Sequence, residues 1–447
     1  MSVVRQQDPK ASSAGDQQRA QTLIERLVRE HPHRPPASPG ERGVQDILAA
    51  ELFGLGLATA FSPFRFNAHL YANLVLHFGL AVVASAFAFV WPLVACALHL
   101  LVVVSYVGDS TRRFYLLRRL LGFRTTHNLL ATLPCADRTK LRVVLAAHAD
   151  AAYTGLLFHP RLARLVARRP LPGIFGRPLA LVIAATLGLA GLDLATLVLP
   201  RPLVAGLIAL LTVPALLALV FNLELVLRNE IVAGANDDLS GVAALALLAR
   251  RFAARPLAGV ELVFAVTGCE EASMGGADGL ARAMDGVWDK TNTVFLALDS
   301  MTNGELRYFE AEGEVVPLRV PAWLCALIEE VAGADEPPLS SLRPFRAPVG
   351  GTDAQAFLAH GWQAGSFVCI DPALGTPGHY HQASDVPANL DYAGLVRSVD
   401  FIERLVVALA RRGVPGAGME TAAGTETAAG TETAAGTETG TAKRTTP

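Results

Sequence analysis

Apolar and polar positions are arranged in three ways along this 447-residue chain, and each predicts a different kind of element. Helical spacing comes first. In QQRAQTLIERLVRE, Gln17 to Glu30, the residues Leu23, Ile24, Leu27 and Val28 fall on one face. Residues 1–15 carry no such pattern and are expected to be disordered. The Pro-rich HPHRPPASPGE follows as a loop. In it Ser38 can cap the next helix, with Pro39 at its first position and Glu41 three residues on. That helix, about 41–54, stops near Gly54 and Gly56.

The second arrangement has almost no polar positions. From Ala72 to Val107 the chain is nearly free of charge, and a helix needs about 20 residues to cross a bilayer. The run is too long for one crossing, and Trp91-Pro92 near its middle predicts a tight hairpin of two spans. Pro178 to Leu227 holds two more candidates, about 178–199 and 203–226, separated by Pro200-Arg201-Pro202 and containing Asp193, Pro214 and Glu224. The expectation is a multi-pass protein with about four spans in the lipid bilayer, paired as hairpins 72–107 and 178–227.

The third arrangement is a set of short apolar runs bounded by polar residues: Leu141 to Ala147, Val260 to Val266, Thr293 to Leu298 and Gly365 to Ile370. Runs of this kind are buried strands. Helical stretches such as 240–254 and 321–333 separate them, and the alternation predicts a mainly parallel sheet covered by helices. One α/β domain is expected from residues 16–71, 108–177 and 228–412. From 413 to 447 the chain turns into a low-complexity tail, with ETAAGT at 420, 426 and 432, too poor in bulky apolar residues to bury a core.

Composition supports the hairpins, since 52% of residues are hydrophobic and only 17% charged. The net charge of −2 gives no reason to expect nucleic acid. Arg112, Arg113, Arg118, Arg119 and Arg124 follow the first hairpin, and Arg161, Arg164, Arg168, Arg169 and Arg177 precede the second, whereas the hairpin turns contain only Arg201. The positive-inside rule then places both termini and the α/β domain in the cytoplasm. Cys96, Cys135, Cys269, Cys325 and Cys369 are scattered without a CxxC spacing, which suggests free thiols in a reducing compartment. No apolar stretch opens the chain, so no cleavable signal peptide is expected.

The candidate chemistry follows the predicted strands. His148 and Asp150 end the first, Cys269-Glu270-Glu271 the second and Asp299 the third, while the fourth leads to His379-Tyr380-His381. Asn236-Asp237-Asp238 sits just before the helix at Ser240. Taken singly, an acidic pair is a solvated helix start, Asp237-Asp238 an N-cap, and each histidine a loop residue. Parallel strands open on one rim, however, so these groups should converge. Clustered carboxylates raise one another's pKa values unless a cation relieves them. Mixed His and carboxylate ligation suits zinc, and two metals about 3.5–4 Å apart can share a bridging carboxylate.

The segments HPHRPPASPGE, AAHADA, GANDDLSGVA, TGCEEASMGG, ALDS, GGTDAQAF and YHQASDVPANLD together resemble the clan MH di-zinc aminopeptidases, the family of the bacterial secreted and vacuolar zinc aminopeptidases. The resemblance implies a three-layer α/β/α sandwich with a mixed, mainly parallel sheet, here interrupted by two transmembrane hairpins. It also implies two Zn2+ and peptide substrates. By motif, His148 and Asp299 would hold one zinc, Glu271 and His381 the other, and Asp237 both. Glu270 would be the general base, Asp150 would orient His148, and Tyr380 would steady an oxyanion. Asp353, in the GTD stretch, is a further candidate beside the metals.

The chain departs from the family pattern in three places. Asp238 stands where an asparagine usually follows the bridging aspartate. ASMGGADGL replaces the usual GLLGS type after Glu271. The second hairpin separates His148 from Asp237, ligands that relatives keep much closer together. Rival readings are a glutaminyl-cyclase-like amide chemistry, which uses one zinc, and a membrane scaffold that keeps only the fold. A third is an intramembrane function for Asp193 and Glu224.

Overall fold

The computed structural model describes residues 9–135, 138–168, 171, 173–334, 342–346 and 350–415. Arg169 and the ETAAGT repeats lie outside the described residues. Helix α1 (Pro9–Glu30) is longer than its apolar periodicity predicts, and it takes in residues 9–15, expected to be disordered. The cause is tertiary. Asp16 is buried against Arg251, 2.8 Å from Nη2, which ties the early turns to the body of the protein. Helix α2 (Pro39–Gly54) starts as its sequence implies, with Ser38 Oγ accepting the Glu41 amide at 3.2 Å.

Strand β1 (Ala58–Phe66), helices α3 (Leu70–Phe87) and α4 (Pro92–Ser110), then β2 (Arg124–Leu133) and β3 (Leu141–His148) follow. Next come β4 (Tyr153–Thr154), α5 (Pro160–Arg168), α6 (Pro178–Ala195), α7 (Arg201–Arg228), β5 (Glu230–Ile231) and α8 (Leu239–Ala254). The last third holds β6 (Val260–Thr267), α9 (Gly275–Ala283), β7 (Thr293–Asp299), β8 (Glu305–Phe309), β9 (Ala311–Glu312) and β10 (Leu318–Arg319). It closes with α10 (Ala322–Gly333), β11 (Arg343–Phe345), α11 (Asp353–Ala359), β12 (Gln363–Ile370) and α12 (Tyr392–Arg412).

Eight strands form one sheet in the order β1-β2-β6-β3-β7-β12-β8-β11. Its centre, β6-β3-β7-β12, is parallel throughout; β1 pairs antiparallel with β2, β2 with β6 and β8 with β12, and the edge strand β11 runs parallel to β8. The four apolar runs are these central strands. Alternate residues face opposite layers: Val143, Leu145 and Ala147 point to the core under α8 and α12, whereas Val144 and Ala146 point to the core under α9 and α11. The result is the three-layer α/β/α sandwich with a mixed, mainly parallel sheet. An apolar-run criterion misses the edge strand β1, because it exposes or half-exposes most of its residues.

Helices α3, α4, α6 and α7 have 18, 19, 18 and 28 residues and are long and apolar enough to cross a membrane. They pack on one another as a four-helix bundle around Phe78, Ala81, Val102, Ile183 and Ala215. Its outer surface is apolar as well, with Leu93, Leu210 and Leu217 more than half exposed, which is the reverse of a water-facing bundle. Asp193 is fully buried between helices, 2.7 Å from His99 Nδ1, and thus acts as an interhelical partner. Glu224 lies near the other end of α7 from Arg201, where its Oε2 accepts the Leu156 amide at 2.9 Å.

Candidate metal centre

The carboxyl ends of β3, β6 and β7, the N-terminus of α8 and the loop after β12 meet at one rim of the sheet. Each ligand is set by its backbone neighbours. Asp238 opens α8 and has both carboxylate oxygens committed: Oδ2 accepts the His148 amide at 3.0 Å, and Oδ1 accepts those of Gly241 at 3.0 Å and Ser300 at 3.1 Å. One carboxylate thus ties the ends of β3 and β7 to the start of α8. An asparagine at 238 would turn an N–H toward one of these amides. Asp150 does the same for the neighbouring loop. Its Oδ1 and Oδ2 accept the amides of Glu270 at 3.1 Å and Glu271 at 3.0 Å.

Asp237 lies at the middle of the cluster. Its Oδ1 is 3.2 Å from His148 Nε2, and its Oδ2 is 3.2 Å from His381 Nε2. Glu271 Oε1 is 3.5 Å from His381 Nε2, and Glu270 Oε2 is 3.9 Å from His148 Nε2. Donor atoms of His148, Asp237 and Asp299 form one compact set, those of Asp237, Glu271 and His381 a second, and those of His148, Glu270 and Glu271 a third. Asp237 belongs to the first two. The Asp150 carboxylate and backbone carbonyl lie 3.5 and 3.2 Å from His148 Nδ1, leaving Nε2 to face the cluster. Tyr380 packs on His381, ring centroids 3.9 Å apart, and Phe158 lies on the same imidazole at 4.2 Å. His379 turns to Ser384 Oγ at 2.8 Å instead.

Burial drives the carboxyl groups of Glu270 and Glu271 well above their usual range, despite the attraction of His148. Burial and the nearby Asp237 push Asp299 up to about 7. Burial also lifts Asp353, whose Oδ2 accepts from Thr267 Oγ1, to about 6. Burial acts on Asp237 in the same direction, but contact with His148 and His381 outweighs it and holds this carboxylate well below its usual range. His148 Nε2, Asp237 Oδ2 and Glu271 Oε1 are buried with no hydrogen-bond partner. A buried pocket crowded with like charges and unpartnered nitrogen and oxygen donors is the environment that bound cations satisfy, so the donor set fits a metal centre.

Several supporting residues carry no catalytic signal of their own in the sequence. Arg34, in the Pro-rich loop, is fully buried and donates to the carbonyls of Ala149 at 3.0 Å and Ala233 at 2.8 Å, tying together the chain after His148 and before Asp237. Asp385 accepts the amides of Asn236 at 2.6 Å and Asp237 at 3.2 Å. Glu41 ties its own helix start to the loop before Glu270, since its Oε2 accepts the amides of Ala37 and Cys269, each at 2.9 Å, and burial and Asp150 raise its carboxyl to about 8.

The loop after Glu271 is held by the segment following α4. Arg118 donates to Ala272 O at 2.9 Å and to Asp109 Oδ2 at 2.7 Å, and Arg112 donates to Ser273 Oγ at 2.8 Å. Cys269, Ser273 and Met274 take left-handed backbone conformations there, so the loop needs such outside support. Arg118→Ala is expected to lower stability by about 3–5 kcal/mol, because it leaves the buried Asp109 charge unpaired. Thermal unfolding in detergent measures this, and adding Asp109→Asn should recover part of the loss.

Residues 220–406 match the model of Peptidase family M28. The matched span includes Asp237, Glu270, Glu271, Asp299 and His381. It begins inside α7, so His148 lies beyond the inserted hairpin and outside the match. No curated protein matches the chain. Among solved structures, it is similar to the aminopeptidase from Aneurinibacillus sp. strain AM-1, with 14% identity over 90% of this chain and 94% of that one and a TM-score of 0.51. It is also similar to BSAP, a zinc aminopeptidase from Bacillus subtilis, with 12% identity over 87% and 94% and a TM-score of 0.51. Porphyromonas gingivalis glutaminyl cyclase shares 12% identity over 88% and 97% with a TM-score of 0.50. These likenesses identify the zinc-exopeptidase fold.

Proposed function

We propose that the chain is a membrane-anchored di-zinc metallopeptidase, an aminopeptidase acting on short peptides, with its active site on the cytoplasmic side. The observation that carries this reading is Asp237, whose two oxygens divide between His148 and His381 at equal distance. His148 and Asp299 would hold one Zn2+, Glu271 and His381 the other, and Asp237 both. The metals, when bound, would supply the Lewis acidity that polarises the scissile carbonyl and acidifies a water.

The remaining work falls to the chain. Glu270, anchored through its amide by Asp150, would take a proton from the attacking water and deliver it to the leaving amine. Asp150 would keep His148 in a single orientation. Burial and the neighbouring Asp237 and Glu271 push the Tyr380 phenol well above its usual range, so it stays protonated and can donate to the developing oxyanion. The four apolar helices would anchor the domain, and the arginine-rich flanks set its side of the membrane.

A peptide-library digest with the detergent-solubilised chain, with and without a chelator, tests this. Stepwise loss of N-terminal residues, abolished by chelation and restored by Zn2+, is expected. Loss of ammonia from N-terminal glutamine without peptide cleavage would overturn it in favour of cyclisation.

A further inference from the structure

Helix α5 is unlike the other helices of the α/β domain, for none of its residues is buried. Arg161, Arg164 and Arg168 recur at positions i, i+3 and i+7 and make one stripe. Leu162, Leu165 and Val166 make the adjoining stripe, with Leu165 58% and Val166 49% exposed. Among the described residues none of the three guanidinium groups has a carboxylate partner. An apolar stripe open to solvent beside a row of unpaired cations has the form of a helix that lies in a membrane interface.

The position of α5 agrees. It lies just upstream of α6, whose far end meets the turn before α4, where Thr196 Oγ1 donates to Ala88 O at 3.3 Å, so the two helices run antiparallel and the start of α6 and the end of α4 belong to one end of the bundle. The segment leaving α4 has the same mixed character, with Arg113, Phe114, Arg119 and Leu120 exposed. The turn that leads into α5 reaches the metal centre. Phe158, two residues before α5, packs on His381, and Ala167 abuts Gly375 in the loop that carries His381.

We infer that α5 lies in the headgroup layer of the leaflet next to the catalytic domain, with its arginines on the phosphates of anionic phospholipids and Leu165 and Val166 among the upper acyl chains. In that position it holds Phe158 against His381, so turnover depends on the lipid. This inference rests on the membrane reading of the four helices. Each cation near an anionic surface contributes about fivefold in partitioning.

The test uses the full chain in nanodiscs, with the half-buried Cys135 and Cys325 replaced by serine and single nitroxides placed by Leu165→Cys, Leu217→Cys on α7 or Val287→Cys on the catalytic domain. Collision with oxygen and with a water-soluble nickel chelate reports depth. Position 217 should read as deep acyl chain, 287 as water, and 165 as shallow acyl chain. A water-like signal at 165 with a deep one at 217 overturns the inference and leaves the membrane reading intact, while a water-like signal at 217 overturns the membrane reading itself. In phosphatidylglycerol discs, peptide turnover should exceed that in phosphatidylcholine by several-fold, and combined Arg161→Gln, Arg164→Gln and Arg168→Gln should erase the difference. Equal turnover of the unmodified chain in both lipids overturns the electrostatic contact.

Discussion

Glu270→Gln is expected to keep its zinc and lose about 10³-fold in kcat, within the range that a positioned general base contributes. That loss equals about 4 kcal/mol of transition-state stabilisation. Glutamine preserves the size of the side chain and the backbone bond to Asp150, so the loop geometry should hold. What disappears is the capacity to accept a proton. Glu270 stands 3.9 Å from His148 Nε2, farther than Asp237, and is the acid of the adjacent pair that does not approach His381. The measurement pairs kcat on an aminoacyl-nitroanilide with zinc per chain by elemental analysis. Full turnover would remove Glu270 from the mechanism, and loss of zinc would move it into the ligand set.

Asp237→Ala should be more damaging, because it removes the carboxylate that both histidines approach. We expect zinc content to fall toward zero and activity with it. Stability should show the consequence of an uncompensated acid cluster, most plainly in the wild-type chain stripped by a chelator. Unfolded carboxylates ionise near pH 4, as model peptides do. In the fold Asp299 and Asp353, pushed up by burial to about 7 and about 6, hold their protons longer. Between about pH 4 and 7 the unfolded chain therefore binds fewer protons, and stability falls as pH rises. Bound zinc requires the deprotonated ligands and should cancel or reverse that trend. Unfolding temperatures at pH 5 and pH 7.5, with and without chelator, read this out. A stripped chain equally stable at both values would contradict the picture of carboxyl groups forced together.

Much of this was legible before any coordinates, for a local reason. The central strands are buried on both faces, so each appears as an uninterrupted apolar run, and the polar residue that ends the run lands on the rim. His148, Glu271 and Asp299 could be placed in that way. Ser38 and Asp238 mark helix starts through bonds to amides three residues on. The four long apolar helices announce themselves by composition. Edge strand β1 is hidden because half-exposed strands lack a continuous run. The early start of α1 depends on Arg251, more than two hundred positions away.

The sequence alone, then, determined the central strands, the capped helix starts, the long apolar helices and the donor types, since burial, capping and bilayer length act within a few turns of chain. Only the tertiary structure decided that Asp237 lies between two histidines, that Asp238 and Asp150 spend their carboxylates on backbone amides, and that Arg118 secures the loop behind Glu271. It also turned His379 toward Ser384. Those outcomes depend on distances between segments far apart in the chain, set by how the helices pack across the sheet. An acid's charge state and partner follow from that packing, and no local spacing encodes it.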